Sequence, residues 1–280
     1  QCAPSKGAEG GPLGELGAFP AAVLMSHVVV ATDYEGLGTP GVHTYAVGLA
    51  EGRNVLDSIR AAQRLTEAGT TEQSKSVAWG HSQGGGASLL TAELAATYAP
   101  DANLQGAVAG APASELKLLA TALRTSPFFG YLFMASAGFH AAYPEIDLTT
   151  VLAPAGVQAT ELAGTQCASD TVKAFAGKDA SAYIKADPGS TEPFATILEE
   201  NSPGVRKAAV PVFIYHGEAD EQIPVVASKL VLDRYCANGS TALRKTYPDK
   251  THVSVIPAAQ AEITQYLLDR LAGKPAPTSC

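Results

Sequence analysis

The chain has 280 residues, enough for one large α/β domain with insertions or for two small ones. Hydrophobic residues make up 46% and charged ones only 16%, so a sizeable core lies beneath a lightly charged surface. The net charge of −8 speaks against nucleic acid or an anionic membrane surface as partner, because both require a basic face. No apolar run reaches the roughly 18–20 residues of a membrane span. The longest, around residues 18–32, is broken by Pro20, Ser26 and His27.

Residues 1–12 are rich in Gly and Pro and read as loop, and Leu13 to Met25 as a short helix. The β-branched run His27-Val28-Val29-Val30-Ala31-Thr32 reads as a buried parallel strand. It leads into a Gly-rich loop, Asp33-Tyr34-Glu35-Gly36-Leu37-Gly38. An amphipathic helix is expected from Thr44 to Leu65, with Leu49, Leu56, Ile59 and Leu65 on its apolar side. Ser76 to Gly80 is a second strand, Gln83 to Tyr98 a helix, and Leu104 to Gly110 a third strand.

From Ser114 to Lys207 the alternation of strand and helix stops. Helical stretches at 115–123, 131–141, 171–176 and 192–199 are separated by Pro144, Pro154, Pro188 and Pro203. Some 90 residues without a strand, between two core strands, predict an inserted helical cap over 114–207; helices that merely extend the core are the other reading. Alternation returns with strands at Val210 to His216 and Leu243 to Tyr247, and helices at Pro224 to Tyr235 and Pro257 to Leu271. Residues 1–113 and 208–280 therefore form an α/β core, a mostly parallel sheet covered by helices on both faces. The active site of such a sheet lies at the carboxyl ends of its strands.

One stretch carries chemistry directly. In Val77-Ala78-Trp79-Gly80-His81-Ser82-Gln83-Gly84-Gly85-Gly86-Ala87 a Gly-x-Ser-x-Gly spans the turn between a strand and a helix. A Ser at such a turn is backbone-strained and projects its hydroxyl at the strand's end, with flanking glycines admitting close neighbours. A phosphate cradle would want a Lys after the glycines, and Gly84 to Thr91 holds none.

A nucleophilic Ser needs a base, and a His base needs an acid. In the hydrolase order both partners follow the Ser. Asp220 lies four residues past the strand end at His216, with Glu218 as its local rival and Asp249 a weaker one. His252 follows the last strand. His27 and His43 precede Ser82, His81 lies inside the motif, His140 lies in the cap, and His216 only ends a strand. The Gln83 backbone N–H is one oxyanion donor; Asp33 or Tyr34 offers the second.

Four cysteines, Cys2, Cys167, Cys236 and Cys280, make no Cys-x-x-Cys pair, so zinc and redox motifs are not indicated and no metal is expected. Two disulfides suit a secreted chain, with three pairings open. The opening Gln1-Cys2-Ala3-Pro4 has neither basic nor apolar leader regions, as in a secreted chain whose leader processing has removed; a cytosolic chain is the other reading.

The segments Val28 to Gly38, Gly80-His81-Ser82-Gln83-Gly84-Gly85 and His216-Gly217-Glu218-Ala219-Asp220-Glu221-Gln222-Ile223-Pro224 resemble the secretory lipases of fungi and actinomycetes, the group of Candida antarctica lipase A. The likeness runs from Gln1 to the tail. It implies an α/β-hydrolase fold with a helical lid, acting on carboxylic esters without a cofactor. It also implies Ser82, Asp220 and His252 as triad and Asp33 and Gln83 as oxyanion donors. With it, Cys2–Cys167 and Cys236–Cys280 is the expected pairing, tying the start to the cap and closing the tail. The first sheet strands usual in the family would lie upstream of Gln1, leaving a five-strand core with an edge to be covered.

The expected substrate is a small-molecule or lipid ester, handled by a monomer. Tyr34, Phe128, Phe129 and Phe133 are candidate substrate contacts, with ordinary helix packing the other reading of the cap aromatics. A catalytically silent hydrolase-fold binding protein and an acyltransferase or peptidase on the same triad are the alternatives.

Overall fold

The computed structural model describes residues 2–6 and 26–280. The helix expected at Leu13 to Met25 lies outside the described residues. Two compact units divide the chain. A sheet unit holds residues 26–32, Gly48–Ser114 and Pro203–Cys280. A helical unit holds residues 2–6, Asp33–Val47 and Glu115–Ser202.

Among the described residues of the sheet unit, four strands run parallel in chain order: β1 (Ser76–His81), β2 (Leu104–Gly110), β3 (Val212–Gly217) and β4 (Ala242–Tyr247). Its helices are α1 (Gly48–Arg64), α2 (Gln83–Tyr98), α8 (Val225–Ala237) and α9 (Val255–Leu271), numbered along the whole chain. Side chains alternate across a strand, so each strand feeds two cores. Ala78, Ala107, Ala109, Val212 and Ile214 pack with Leu56 and Ile59 of α1, Leu89 of α2 and Val231 and Tyr235 of α8. Val108, Phe213 and Tyr215 face the other way, onto Val255, Ala259, Ile263 and Leu267 of α9. Both faces are covered, which is why central β2 and β3 read as near-continuous apolar runs, whereas edge strand β4 carries Arg244 and Lys245.

The outer edge of β4 is closed by the tail. Ser279 N–H donates to the Ala242 carbonyl at 2.7 Å, and Arg244 N–H donates to Ser279 Oγ at 3.0 Å. A disulfide joins Cys236 at the end of α8 to Cys280, so the tail is anchored where it lies on the strand.

The expected strand at residues 27–32 does not form. The segment has no regular structure, and Val28 and Val30 stand 52% and 39% exposed where a central strand would be buried. β-propensity is a fit to a half-buried pleated surface, and among the described residues no strand pairs with this run. The helix expected from Thr44 starts only at Gly48.

The helical unit contains α3 (Leu116–Ala122), α4 (Gly130–Ala142), α5 (Pro154–Ala163), α6 (Ala168–Phe175) and α7 (Phe194–Glu200). Its centre is a cluster of rings from Phe129, Phe133, Phe175 and Tyr183. A disulfide between Cys2 and Cys167 ties residues 2–6 to the start of α6. The sequence signals missed α5, because Pro154 reads as a separator. Proline at the first helical position instead starts a helix, since its missing N–H would have had no partner there.

One buried carboxyl joins α2 to α8. Glu93 Oε1 accepts from Gly204 N–H at 2.6 Å and from the Tyr235 hydroxyl at 2.8 Å. Burial pushes the Glu93 carboxyl up to about 7, against the opposing pull of those two hydrogen bonds. From about pH 4.5 to 7 the unfolded chain ionises this group while the folded chain keeps its proton, so stability falls as pH rises through that window. Glu93→Gln keeps an accepting oxygen and cannot ionise. Its stability relative to the parent, measured by urea unfolding, is expected to rise between pH 4 and 8 by on the order of 3 kcal/mol. Parallel stability curves for the two proteins would count against the buried-carboxylate account.

Candidate active site

β1 ends at His81, and Ser82 follows with φ 58° and ψ −117°, outside the ordinary wells of an L-residue. A conformation of this kind costs on the order of 1–3 kcal/mol and survives only where its surroundings over-determine it. Here the backbone supplies the restraint. Ser82 N–H donates to the Gly110 carbonyl at 2.8 Å, and the Ser82 carbonyl accepts from Ala113 N–H at 3.0 Å and Gly86 N–H at 3.1 Å. The glycines make the turn sterically possible. A Cβ on Gly80 would sit 2.1 Å from the Gly84 carbonyl oxygen, and one on Gly85 would sit 2.5 Å from the Gly110 carbonyl oxygen.

Gln83 opens α2, so its backbone N–H belongs to the first turn, whose donors have no acceptor within the helix. Its side-chain amide donates to Glu51 Oε1 at 2.7 Å, which fastens the start of α2 to buried Glu51 of α1.

The loop after β3 delivers Asp220, whose side chain has no exposed surface. Oδ1 accepts from the backbone N–H groups of Gln222 at 2.9 Å and Ile223 at 2.8 Å. Oδ2 lies 2.7 Å from His252 Nδ1 and 3.1 Å from His216 Nε2. Burial alone would raise this carboxyl, but the hydrogen bonds from His216 and His252 outweigh it and hold the group well below the usual carboxylate range. Asp220 therefore stays ionised, and its stabilising contribution is lost only when strong acid protonates it. His252, 4% exposed, follows β4, and its backbone N–H donates to Glu221 Oε2 at 3.1 Å. The two rivals lie elsewhere. Glu218 accepts from Thr246 Oγ1 at 2.7 Å, and Asp249 is an exposed turn residue with φ 57°.

His81 joins the two halves of this arrangement. It precedes Ser82 in the chain, and its ring centroid lies 4.7 Å from that of His252. Its Nδ1 meets the Tyr215 hydroxyl at 3.2 Å, which in turn accepts from Trp79 Nε1 at 3.3 Å. Burial, reinforced by the neighbouring His252, depresses the His81 imidazole to about 3, so it is neutral at ordinary pH. Nothing in the sequence reading singled out His81 or His216 as members of the site.

In the helical unit, Ser5 N–H donates to the Asp33 carboxylate at 2.9 Å and the Ser5 hydroxyl bonds the same group. The half-buried Tyr34 stacks on His43, His43 meets Tyr45 edge-on, Tyr45 stacks on Tyr131, and Tyr131 stacks on Phe128. Tyr34 and Phe128 thus stand at the two ends of one run of rings, each about 6 Å from the next. Phe129 and Phe133 are packed inside the unit, 1% and 0% exposed. Phe133 also borders an apolar internal cavity of about 60 Å³ with Leu132, Phe139, Ile146 and Leu198. Among the described residues no cluster of His, Cys, Asp and Glu suits a metal ion, and no helix is long and apolar enough to cross a membrane.

A parallel sheet wrapped by helices, turning sharply at a strained Ser after its first strand, places the protein among the α/β-hydrolases. The chain belongs to the secretory lipase family, whose model matches residues 19–279. It is 28% identical over 297 residues to the "Secreted triacylglycerol lipase LIP4" of Malassezia globosa, covering 100% of this chain and 64% of the relative. Against "Lipase 5" of Candida albicans the identity is 28% over 271 residues, covering 91% and 57%. A Mycobacterium tuberculosis protein named "Probable inactive lipase MT1628" is 29% identical over 272 residues, covering 93% and 59%. The chain thus spans less than two thirds of the length of each of these relatives. In three dimensions it matches Candida antarctica lipase A in its closed state with a TM-score of 0.74 at 23% identity, covering 84% of this chain and 57% of that one. The rice cell wall degrading esterase LipA of Xanthomonas oryzae matches with a TM-score of 0.70 at 19% identity, covering 85% and 70%.

Replacing Gly80 with Ala drives a Cβ into the backbone of Gly84, which cannot move without disturbing the turn. Gly80→Ala is expected to cost about 1–3 kcal/mol in denaturant unfolding. A parental midpoint for that variant would show that the turn is not sterically locked.

Proposed function

We propose that the protein is a secreted serine hydrolase of carboxylic esters, of the esterase or lipase type. The observation that carries the reading is the 2.7 Å contact between His252 Nδ1 and ionised Asp220, beside the elbow that presents Ser82. A proton on Nδ1 shared with Asp220 leaves the Nε2 lone pair of His252 as the acceptor a Ser hydroxyl needs.

In this mechanism Ser82 Oγ attacks the ester carbonyl as His252 Nε2 takes its proton. The tetrahedral oxyanion is stabilised by the Gln83 backbone N–H and, by family resemblance, by that of Asp33. His252 then gives its proton to the departing alcohol, leaving an acyl-Ser82. Water, deprotonated by His252, attacks the acyl carbon; the acid departs and Ser82 recovers its hydrogen. Asp220 stays ionised throughout, and no step requires a cofactor. Residues 114–207 serve as an inserted cap in this reading. The rings between Tyr34 and Phe128 suit contact with an apolar acyl chain.

One relative bears the name of an inactive lipase, which gives a second reading: a silent hydrolase-fold protein that binds rather than turns over its ligand. The p-nitrophenyl ester series from acetate to palmitate, with an emulsified triglyceride, decides between them. Hydrolysis is expected from the parent, falling about 10⁴-fold or more in Ser82→Ala. An inert parent would favour the silent reading, and a fully active Ser82→Ala protein would refute the mechanism.

A further inference from the structure

We propose that His216 is a positioning residue of this site: it holds Asp220 so that a single carboxylate oxygen, in a fixed orientation, faces His252. The proposal rests on the ester-hydrolase reading above and names how its acid is held.

A carboxylate has about four acceptor positions and can turn about its Cβ–Cγ bond. Two backbone N–H groups, those of Gln222 and Ile223, occupy Oδ1. Those donors sit on a loop and leave Oδ2 unspecified. His252 reaches Oδ2 from the loop after β4, and His216 reaches the same atom from within β3. His216 is the only one of these donors carried by a strand of the sheet, where it pairs in register with Thr246 of β4. Its side chain has no exposed surface. The rigid element therefore sets where Oδ2 lies.

The tautomer follows from the geometry. His216 Nε2 lies 3.1 Å from Asp220 Oδ2 and 3.1 Å from the Ile223 carbonyl. Both neighbours are acceptors only, so Nε2 carries the hydrogen and donates to the pair. The opposite nitrogen, Nδ1, is buried and meets no partner among the described residues. Leaving a buried ring nitrogen unpaired costs free energy that an apolar side chain of similar volume would avoid. The donor at Nε2 is what that cost secures.

Sharing Oδ2 has a second effect. A hydrogen bond from His216 draws charge from the oxygen that must hold the imidazolium of His252 as the proton moves. Removing that donor leaves Oδ2 more basic and less well placed, so His252 should gain a proton more readily while orienting worse. The other ionisable groups facing this set are His81, whose ring lies tilted against that of His252, and Glu221, which accepts the His252 backbone N–H.

The test compares His216→Leu, which fills the space without a donor, with His216→Gln, whose amide N–H can occupy the place of Nε2. His216→Asn is a third variant whose shorter amide does not reach. Each is assayed on a soluble p-nitrophenyl ester across pH, and the ring of His252 is titrated in parallel by NMR. In His216→Leu, kcat is expected to fall about tenfold or more with KM nearly unchanged. The acidic limb of kcat/KM and the His252 titration should both move up by about half a pH unit or more. His216→Gln should restore both properties and His216→Asn neither.

A folded His216→Leu protein with parental kcat and parental titration would overturn the proposal, as would equal losses in the Gln and Asn variants. If His216→Leu does not fold, the Gln and Asn pair decides alone. An inert parent would sink the ester-hydrolase reading instead, and the NMR titration of His252 would still accept or reject the role of His216.

Discussion

A carboxylate with no exposed surface must receive its hydrogen bonds from the chain around it, and at Asp220 that requirement organises the loops. Its two oxygens take donors from the backbone at 222 and 223, from His216 in β3 and from His252 after β4. Satisfying Asp220 therefore fixes the path from β3 into α8 and the direction of the His252 ring. The loop after β4 meets the same loop a second time, where the His252 backbone N–H donates to the Glu221 carboxylate. The acid is the point at which the last two strand–loop–helix units are joined.

The strained turn at Ser82 depends on a different neighbour, the end of β2. Gly110 accepts from Ser82 and Ala113 donates to it, so the elbow is shaped by the adjacent parallel strand as much as by its own glycines. Parallel pairing brings the carboxyl ends of successive strands to one side of the sheet. Ser82, Asp220 and His252 follow β1, β3 and β4, so sheet topology gathers onto one side residues that are 170 positions apart at the extremes.

The sequence carried much of the sheet unit. The runs at Leu104 to Gly110 and Gln83 to Tyr98 have boundaries that match β2 and α2, because Gly, Asn and Pro punctuate them cleanly. It misled at Val28 to Thr32, where β-branched composition was present but, among the described residues, a pairing strand was not. It passed over α5, where a proline that begins a helix looks the same in sequence as one that ends it. Asp220 and His252 stood out because each follows a predicted strand in the order the chemistry requires. His216 did not, since its position reads as an ordinary buried strand end.

What the amino-acid order determined alone is local and periodic. It set where strands alternate with helices, where glycines permit a tight turn, and that an Asp and a His follow later strands than the Ser. Tertiary structure decided everything that depends on distance between separate segments. It put His216 and His252 on one oxygen of Asp220, brought the His81 ring against that of His252, and sent Phe129 into a core while leaving Phe128 half-buried on a run of rings. The reason is physical: a hydrogen bond inside a protein forms between groups that folding brings within about 3 Å. Spacing along the chain carries no record of that approach.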